Sequence, residues 1–134
     1  MPISSLPSPC GIGTLGAAAR EFADFLAAGG QTYWQILPIC PTSYGDSPYQ
    51  SFSSYAGNPY FIDLDDLAAD GLLEPGEYRG LDWGDDPQSV DYGLMYAKRY
   101  PVLKKAAGRR RRMSSGQVNQ EAPPCLSFRA MNSA

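Results

Sequence analysis

Tyr33-Trp34-Gln35-Ile36-Leu37-Pro38-Ile39 is a short, mostly apolar run, with Gly29-Gly30 before it and Pro41 after it. Bounded in this way by turn formers, it reads as a buried strand, and Pro38 puts the end of that strand near Leu37. Upstream the pattern is helical: Leu15, Ala19, Phe22, Phe25 and Leu26 fall on one apolar stripe. Thr14 is the expected N-cap of that helix and the Gly29-Gly30 pair its stop. A helix followed by a buried strand predicts an α/β unit with a parallel sheet, in which both strand faces are covered. In such folds the chemistry sits on loops at the C-terminal ends of the strands. That rule directs attention to the polar and aromatic loop over residues 41–59.

The core of this loop is Thr42-Ser43-Tyr44-Gly45-Asp46-Ser47-Pro48-Tyr49-Gln50-Ser51-Phe52-Ser53. It mixes aromatic rings, one carboxylate and several short hydroxyl side chains. A sugar ring presents a C–H face to an aromatic surface and hydroxyls to small polar groups, so the loop suits a carbohydrate. An ordinary packed loop has the same composition, and the residues alone leave both readings open.

Further along, residues 60–73 hold a short apolar segment and then a helix capped by Asp63 or Asp65, with Gly71 near its end and Pro75 beyond. Residues 80–88 read as loop. Residues 90–107 read as a second helix, opened by Asp91 and interrupted by Pro101. Past residue 107 the chain turns to Arg109-Arg110-Arg111-Arg112 and then to Ser, Gly, Gln, Asn and Pro without period. Residues 1–107 are therefore expected to be ordered, and 108–134 to be a disordered basic tail.

Composition narrows the function. The 134 residues suffice for one small domain. With no histidine, Ser-His and Cys-His mechanisms are excluded within this chain, as are the common zinc sites. Cys10, Cys40 and Cys125 form neither an even framework nor a C-x-x-C pair, which points to reduced thiols and a cytoplasmic setting. Met1-Pro2-Ile3-Ser4 lacks the basic and apolar regions of a secretory signal, and no apolar run approaches the ~20 residues of a membrane helix. Charge is unevenly spread. Residues 1–97 carry two basic against thirteen acidic side chains, and residues 98–134 carry nine basic against Glu121 alone.

Three motifs have a functional and a plain reading. Gly11-Ile12-Gly13-Thr14-Leu15-Gly16 matches G-x-G-x-x-G, but Pro7 and Pro9 precede it where a dinucleotide fold has a strand, so the glycines are read as shaping a tight loop. The arginine run has no aromatic interleaving and no recognition fold around it, so it is read as a solvated tail and not as a nucleic-acid contact. Asp63, Asp65 and Asp66 match no Ca²⁺ loop and start a helical pattern, so they are read as capping and not as metal ligands.

Longer blocks carry a resemblance. Ser4-Ser5-Leu6-Pro7-Ser8-Pro9, Gly11-Ile12-Gly13, Tyr33-Trp34-Gln35-Ile36-Leu37-Pro38, the block from Tyr44 to Ser53, and Ala56-Gly57-Asn58-Pro59-Tyr60 occur in this order. Leu81-Asp82-Trp83-Gly84 and Val90-Asp91-Tyr92-Gly93 follow. Together they resemble the start of amylomaltases, the 4-α-glucanotransferases, over about residues 2–106. The resemblance implies the N-terminal portion of a (β/α)₈ TIM-type barrel with insertions, incomplete in this chain, with residues 33–39 as an early strand. It implies α-1,4-glucans as partners (maltodextrins, starch or glycogen fragments), no nucleic acid, no membrane and no cofactor. It also assigns substrate-binding roles: Tyr49 packs against the sugar at the cleavage subsite with Ser47 and Asp46 beside it, and Tyr44 belongs to an accessory glucan surface. The family's reaction is a retaining double displacement by an Asp and a Glu. No acidic residue of this chain matches that pair, so no catalytic residue is assigned and the isolated chain is expected to be inactive. The alternative reading is a non-catalytic glucan-binding module that uses the same loop. Cys10 departs from the family's usual Tyr, and Cys40 from its usual Gly.

Overall fold

The computed structural model describes residues 1–43, 45–86 and 88–116. The order of elements is a 3₁₀ turn (Ile3–Ser5), α1 (Ala17–Ala28), a long irregular stretch, a 3₁₀ turn (Pro59–Phe61), α2 (Leu64–Ala69), a 3₁₀ turn (Pro75–Glu77), α3 (Tyr92–Leu94), a π-helical turn (Met95–Arg99) and α4 (Tyr100–Gly116).

The 33–39 run is not a buried strand. Among the described residues no strand forms, and a single antiparallel bridge, Thr42 to Ser51, is the whole of the β pairing. Tyr33 is 90% exposed, and Ile36, Leu37 and Ile39 are each close to two-fifths exposed. An apolar run becomes a strand only when a neighbour satisfies its N–H and C=O groups and covers its faces, and no described segment does so here. What fixes the run is Trp34. Its ring meets Phe22 of α1 edge-on at 4.9 Å, and its Nε1 donates to the Met1 carbonyl at 2.8 Å.

The helix signals fare better. α1 stops at Gly29, and Gly30 takes the left-handed conformation (φ 74°). The Gly30 amide donates to Ala27 and that of Gln31 to Leu26, which satisfies the last carbonyls. α2 ends in the same way at Gly71, with Leu72 bonded back to Leu67. Asp63 caps α2, its Oδ1 accepting from the amides of Asp65 and Asp66 at 2.9 and 3.0 Å. The capping reading of the aspartate cluster is thus the one the structure bears out. Thr14, however, does not cap α1. Gly16 stands at that position without a side-chain bond, and the Thr14 hydroxyl donates to Asp63 Oδ2 instead.

Asp91 opens the second helical segment as expected, accepting from the Leu94 amide at 2.9 Å. Pro101 does not break it. Proline lacks the N–H for an i−4 bond and crowds that carbonyl. The π-helical turn just before it widens the backbone at this point, and α4 continues. It continues through the arginine run to Gly116, past residue 108 where the pattern predicts disorder to begin. Residues 117–134, with Cys125 and Glu121, lie outside the described residues.

The main core joins Cys10 and Ile12 of the N-terminal loop to Tyr60, Leu64, Leu72, Leu73, Tyr78 and Trp83, and to Met95, Val102 and Ala106 of the last helical segment. Arg99 lies inside it, fully buried. Its Nη1 donates to the Cys10 carbonyl (3.3 Å), its Nη2 to the Ile62 carbonyl (2.6 Å), and its guanidinium lies 6.0 Å from the Trp83 ring centre. Burial lowers its pKa and makes the charge costly, and the two carbonyls and the ring offset that cost. Cys10 beside it is a buried free thiol, its pKa pushed up to about 11 mainly by burial.

Basic side chains of residues 98–109 meet acidic partners from earlier in the chain. Lys98 pairs with Asp82 at 2.9 Å. Arg109 grips Glu77 through both nitrogens (2.5 and 3.1 Å) and donates to the Leu72 carbonyl at 3.1 Å. The charge division along the sequence becomes complementarity across the fold.

The G-x-G-x-x-G block is also explained by packing. A Cβ on Gly13 would collide with the Ile3 carbonyl and come within 2.7 and 2.8 Å of Leu6 backbone atoms. Gly11 (φ 76°) lies against Met95 and the Trp83 carbonyl. These glycines let the N-terminal loop press onto the core, as the tight-loop reading holds.

Candidate functional site

The 41–59 loop is clasped at its base. The Asn58 amide donates to the Ile39 carbonyl at 2.8 Å, and Cys40 Sγ lies 3.6 Å from the Ser54 carbonyl. Above the clasp, the Thr42–Ser51 bridge and a Ser43 N–H bond to Gln50 O (3.0 Å) bring the two arms together. The tip consists of two consecutive turns. The Asp46 amide closes the first onto Ser43 at 3.1 Å, and the Gln50 amide closes the second onto Ser47 at 3.0 Å.

The described members of the predicted site differ in exposure. Tyr49, in the second turn, is 75% exposed. Ser47 is half-buried, and its Oγ accepts weakly from the Tyr49 amide at 3.4 Å. Asp46 is half-buried and lines a cavity of about 150 Å³ behind the loop, with its Oδ1 accepting from Thr42 Oγ1 at 3.3 Å. Tyr44 lies outside the described residues.

The cavity behind the loop also takes in Asn58, Tyr60 and Tyr92, which no reading of the loop alone selects. Asn58 is buried, and its side chain accepts from the Tyr60 amide at 3.0 Å. Tyr60 has its pKa pushed up to about 12, first by burial and then by Tyr100 and the Asp46 carboxylate. Tyr92 is raised by burial, with Asp46 as the second cause. The signal for Tyr60 and Tyr92 was present only as members of the resembling blocks.

Phe52 (75% exposed) and Tyr55 (fully exposed) are open to solvent as Tyr49 is. Three aromatic side chains within seven positions thus face solvent on one loop, among serine hydroxyls that bond mainly within the loop itself: Ser51 Oγ donates to the Ser53 carbonyl at 2.7 Å, and Ser53 Oγ accepts from the Ala56 amide at 3.2 Å. Rings held open on a hydrogen-bonded scaffold are suited to stacking against a flat apolar face. Among the described residues no group of His, Cys, Asp and Glu is placed to hold a metal ion, and no helix is long and apolar enough to cross a membrane.

The sequence profile of the 4-alpha-glucanotransferases matches residues 1–134. The chain is 57% identical over 106 residues to the 4-alpha-glucanotransferase of Clostridium butyricum, covering 79% of this chain and 22% of that protein. It is 55% identical over 106 residues to that of Thermus thermophilus, covering 77% of this chain and 20% of the relative. Among solved structures, an amylomaltase from Streptococcus agalactiae in complex with acarbose superposes with a TM-score of 0.79 at 48% identity, covering 87% of this chain and 25% of that one. The chain thus spans about a fifth of the length of the curated relatives it matches. A match along the whole chain and identities above half make it a member of the 4-alpha-glucanotransferase family.

Proposed function

We propose that this chain supplies the donor-side glucan contacts of a 4-α-glucanotransferase, with Tyr49 as the stacking face and Ser47 and Asp46 beside it. The observation that carries this is the exposure of Tyr49 on a loop whose own hydrogen bonds hold it open. A tyrosine that merely packed the loop would be buried. Tyr44 belongs to the accessory glucan surface in this proposal. The substrate class is α-1,4-glucan, in keeping with the relatives' activity and with the acarbose bound by the similar amylomaltase. The reaction is a retaining double displacement in which a glucan hydroxyl takes the place of water. Its carboxylates are not among the acidic residues of residues 1–134. In the same proposal residues 1–107 are the N-terminal portion of the family's (β/α)₈ barrel, and the apolar side chains open over residues 33–39 face other parts of it. The proposed setting is cytoplasmic and reducing, with Cys10 and Cys40 as free thiols.

The chain alone should not release glucose from maltotriose, and release above a no-protein control would refute the assignment of the chemistry elsewhere. The site itself is tested by exchanging the matched segment of the Clostridium butyricum relative for this chain's residues 1–106. In that enzyme Tyr49→Ala should lower kcat/KM by about 2–4 kcal/mol, and Tyr49→Phe, which keeps the ring face, by about 1–2 kcal/mol. A Tyr49→Ala enzyme with lowered Tm and unchanged turnover per folded molecule would show a packing role and sink the subsite reading.

A further inference from the structure

We propose that Asp46 is a positioning residue: it is the joint between the two turns of the loop tip, and its carboxylate, tied to Thr42 at the cavity behind the loop, sets the direction in which Tyr49 is presented. This rests on the reading of Tyr49 as the sugar-facing ring. It moves Asp46 from contact with the substrate to control of the residue that makes the contact.

The geometry is specific. The first turn closes from Asp46 N–H to Ser43 O, and the second begins at Ser47, whose carbonyl accepts from Gln50. Asp46 is therefore the last residue of one turn, and the next residue starts the other. Its backbone is left-handed (φ 55°), the one such conformation outside glycine among the described residues, and it follows Gly45 at φ 101°. Two successive positive φ angles reverse the chain sharply, so a small rotation at residue 46 swings the whole second turn, Ser47 and Tyr49 included. Side chains disfavour this conformation, and Asp and Asn tolerate it because a short polar group bonds locally. Here the local partner is Thr42 Oγ1, four residues back at the bridged base of the loop. The carboxylate thus ties tip to base. Tyr60 and Tyr92 line the same cavity, and both are influenced by the Asp46 charge.

Amide hydrogen exchange on the full 134-residue chain tests this through Ser43 and Gln50, whose N–H groups are bonded within the loop. Asp46→Asn keeps both an acceptor and tolerance of the left-handed backbone, and should leave their exchange within about two-fold of the parent. Asp46→Gly suits the backbone but removes the tie, and should speed both on the order of ten-fold while the α4 amides stay as they are. Rescue by Asn and not by Gly is the expected signature. Unchanged exchange in Asp46→Gly would overturn the proposal, since only the backbone angle would then matter. Faster exchange throughout the chain would overturn it equally, as the role would be global stability. Tyr49→Ala in the same assay should not alter loop exchange. Failure of the sugar-stacking reading, seen in kcat/KM of the exchanged enzyme, is thereby distinguished from failure of the Asp46 joint.

Discussion

Residues 59–116 and residues 31–57 have similar shares of hydrophobic side chains, aromatics included, but opposite fates. In the first region Leu64, Leu72, Leu73, Tyr78, Met95 and Val102 are buried, and even an arginine is enclosed. In the second, Tyr33, Ile36, Leu37, Ile39, Tyr49, Phe52 and Tyr55 all remain exposed. The difference is one of where partners come from. A helix satisfies its own backbone, so an amphipathic stripe needs only one neighbour to cover it. An apolar run without a ladder has neither backbone nor side chains satisfied. The first region is therefore organised by contacts of its own, while the second holds its shape by turns and clasps and leaves its apolar surface open.

Four measurements would sharpen or break this contrast. The largest effect is expected at Arg99. Arg99→Ala removes the two donors to Cys10 and Ile62 and leaves a void beneath Trp83, and should cost about 3–5 kcal/mol in chemical denaturation. A loss below about 1 kcal/mol would mean the arginine is a tolerated guest and not a strut. Next is Gly13→Ala, where the added methyl meets Ile3 and Leu6 backbone. Overpacking of this kind should cost about 1–3 kcal/mol, and a neutral result would show that the N-terminal loop floats on the core instead of pressing into it.

Acid should act more gently, and on the first region. Asp65 is held below the usual carboxylate value of 3.8 by the Tyr78 hydroxyl bond and then by Arg79, and Glu77 below 4.5 by Arg109 and then the Glu74 amide. Groups with a depressed folded pKa contribute stability that is full above the unfolded value and is lost as pH falls through the folded one. Tm should therefore be level above about pH 5 and decline below 4.5 and then 3.8. Glu77→Gln should flatten part of that decline, and an unchanged profile would remove the Arg109 grip as its cause. The smallest effect is expected in the second region. Leu37→Lys and Ile36→Lys should shift stability by within about 0.5 kcal/mol, as at open surface sites. A loss of several kcal/mol would mean that the 33–39 run is covered after all.

The same division decides what could be read from the sequence. The Gly29-Gly30 stop and the Asp63 and Asp91 caps were legible because capping depends on neighbours a few positions away. The strand expected over 33–39 did not form, because pairing is non-local and nothing in a mostly apolar run of seven says whether a partner is present. Arg99 was hidden in a count of positive charge. Its burial follows from Cys10 and Ile62, 89 and 37 positions away. In the loop, composition drew attention to residues 42–53 but could not tell an exposed ring from a residue lining the cavity. Tyr49 and Asp46 are three positions apart, and the turn that sends one outward while the other lines the cavity lies in the backbone between them.

The wide turn at Met95–Arg99 carries a consequence of phase. Each residue of an α-helix advances the chain by about 100° about its axis. Met95, Arg99, Val102, Ala106 and Arg109 all reach the core side or its margin, and they do so across a turn that holds more residues than an ordinary one. The turn therefore works as a gear: it sets the angular register of everything after Pro101. Removing one residue between 95 and 99 would leave composition and helix content almost untouched. It would nonetheless carry Arg109 about 100° away from Glu77 and turn Val102 toward water.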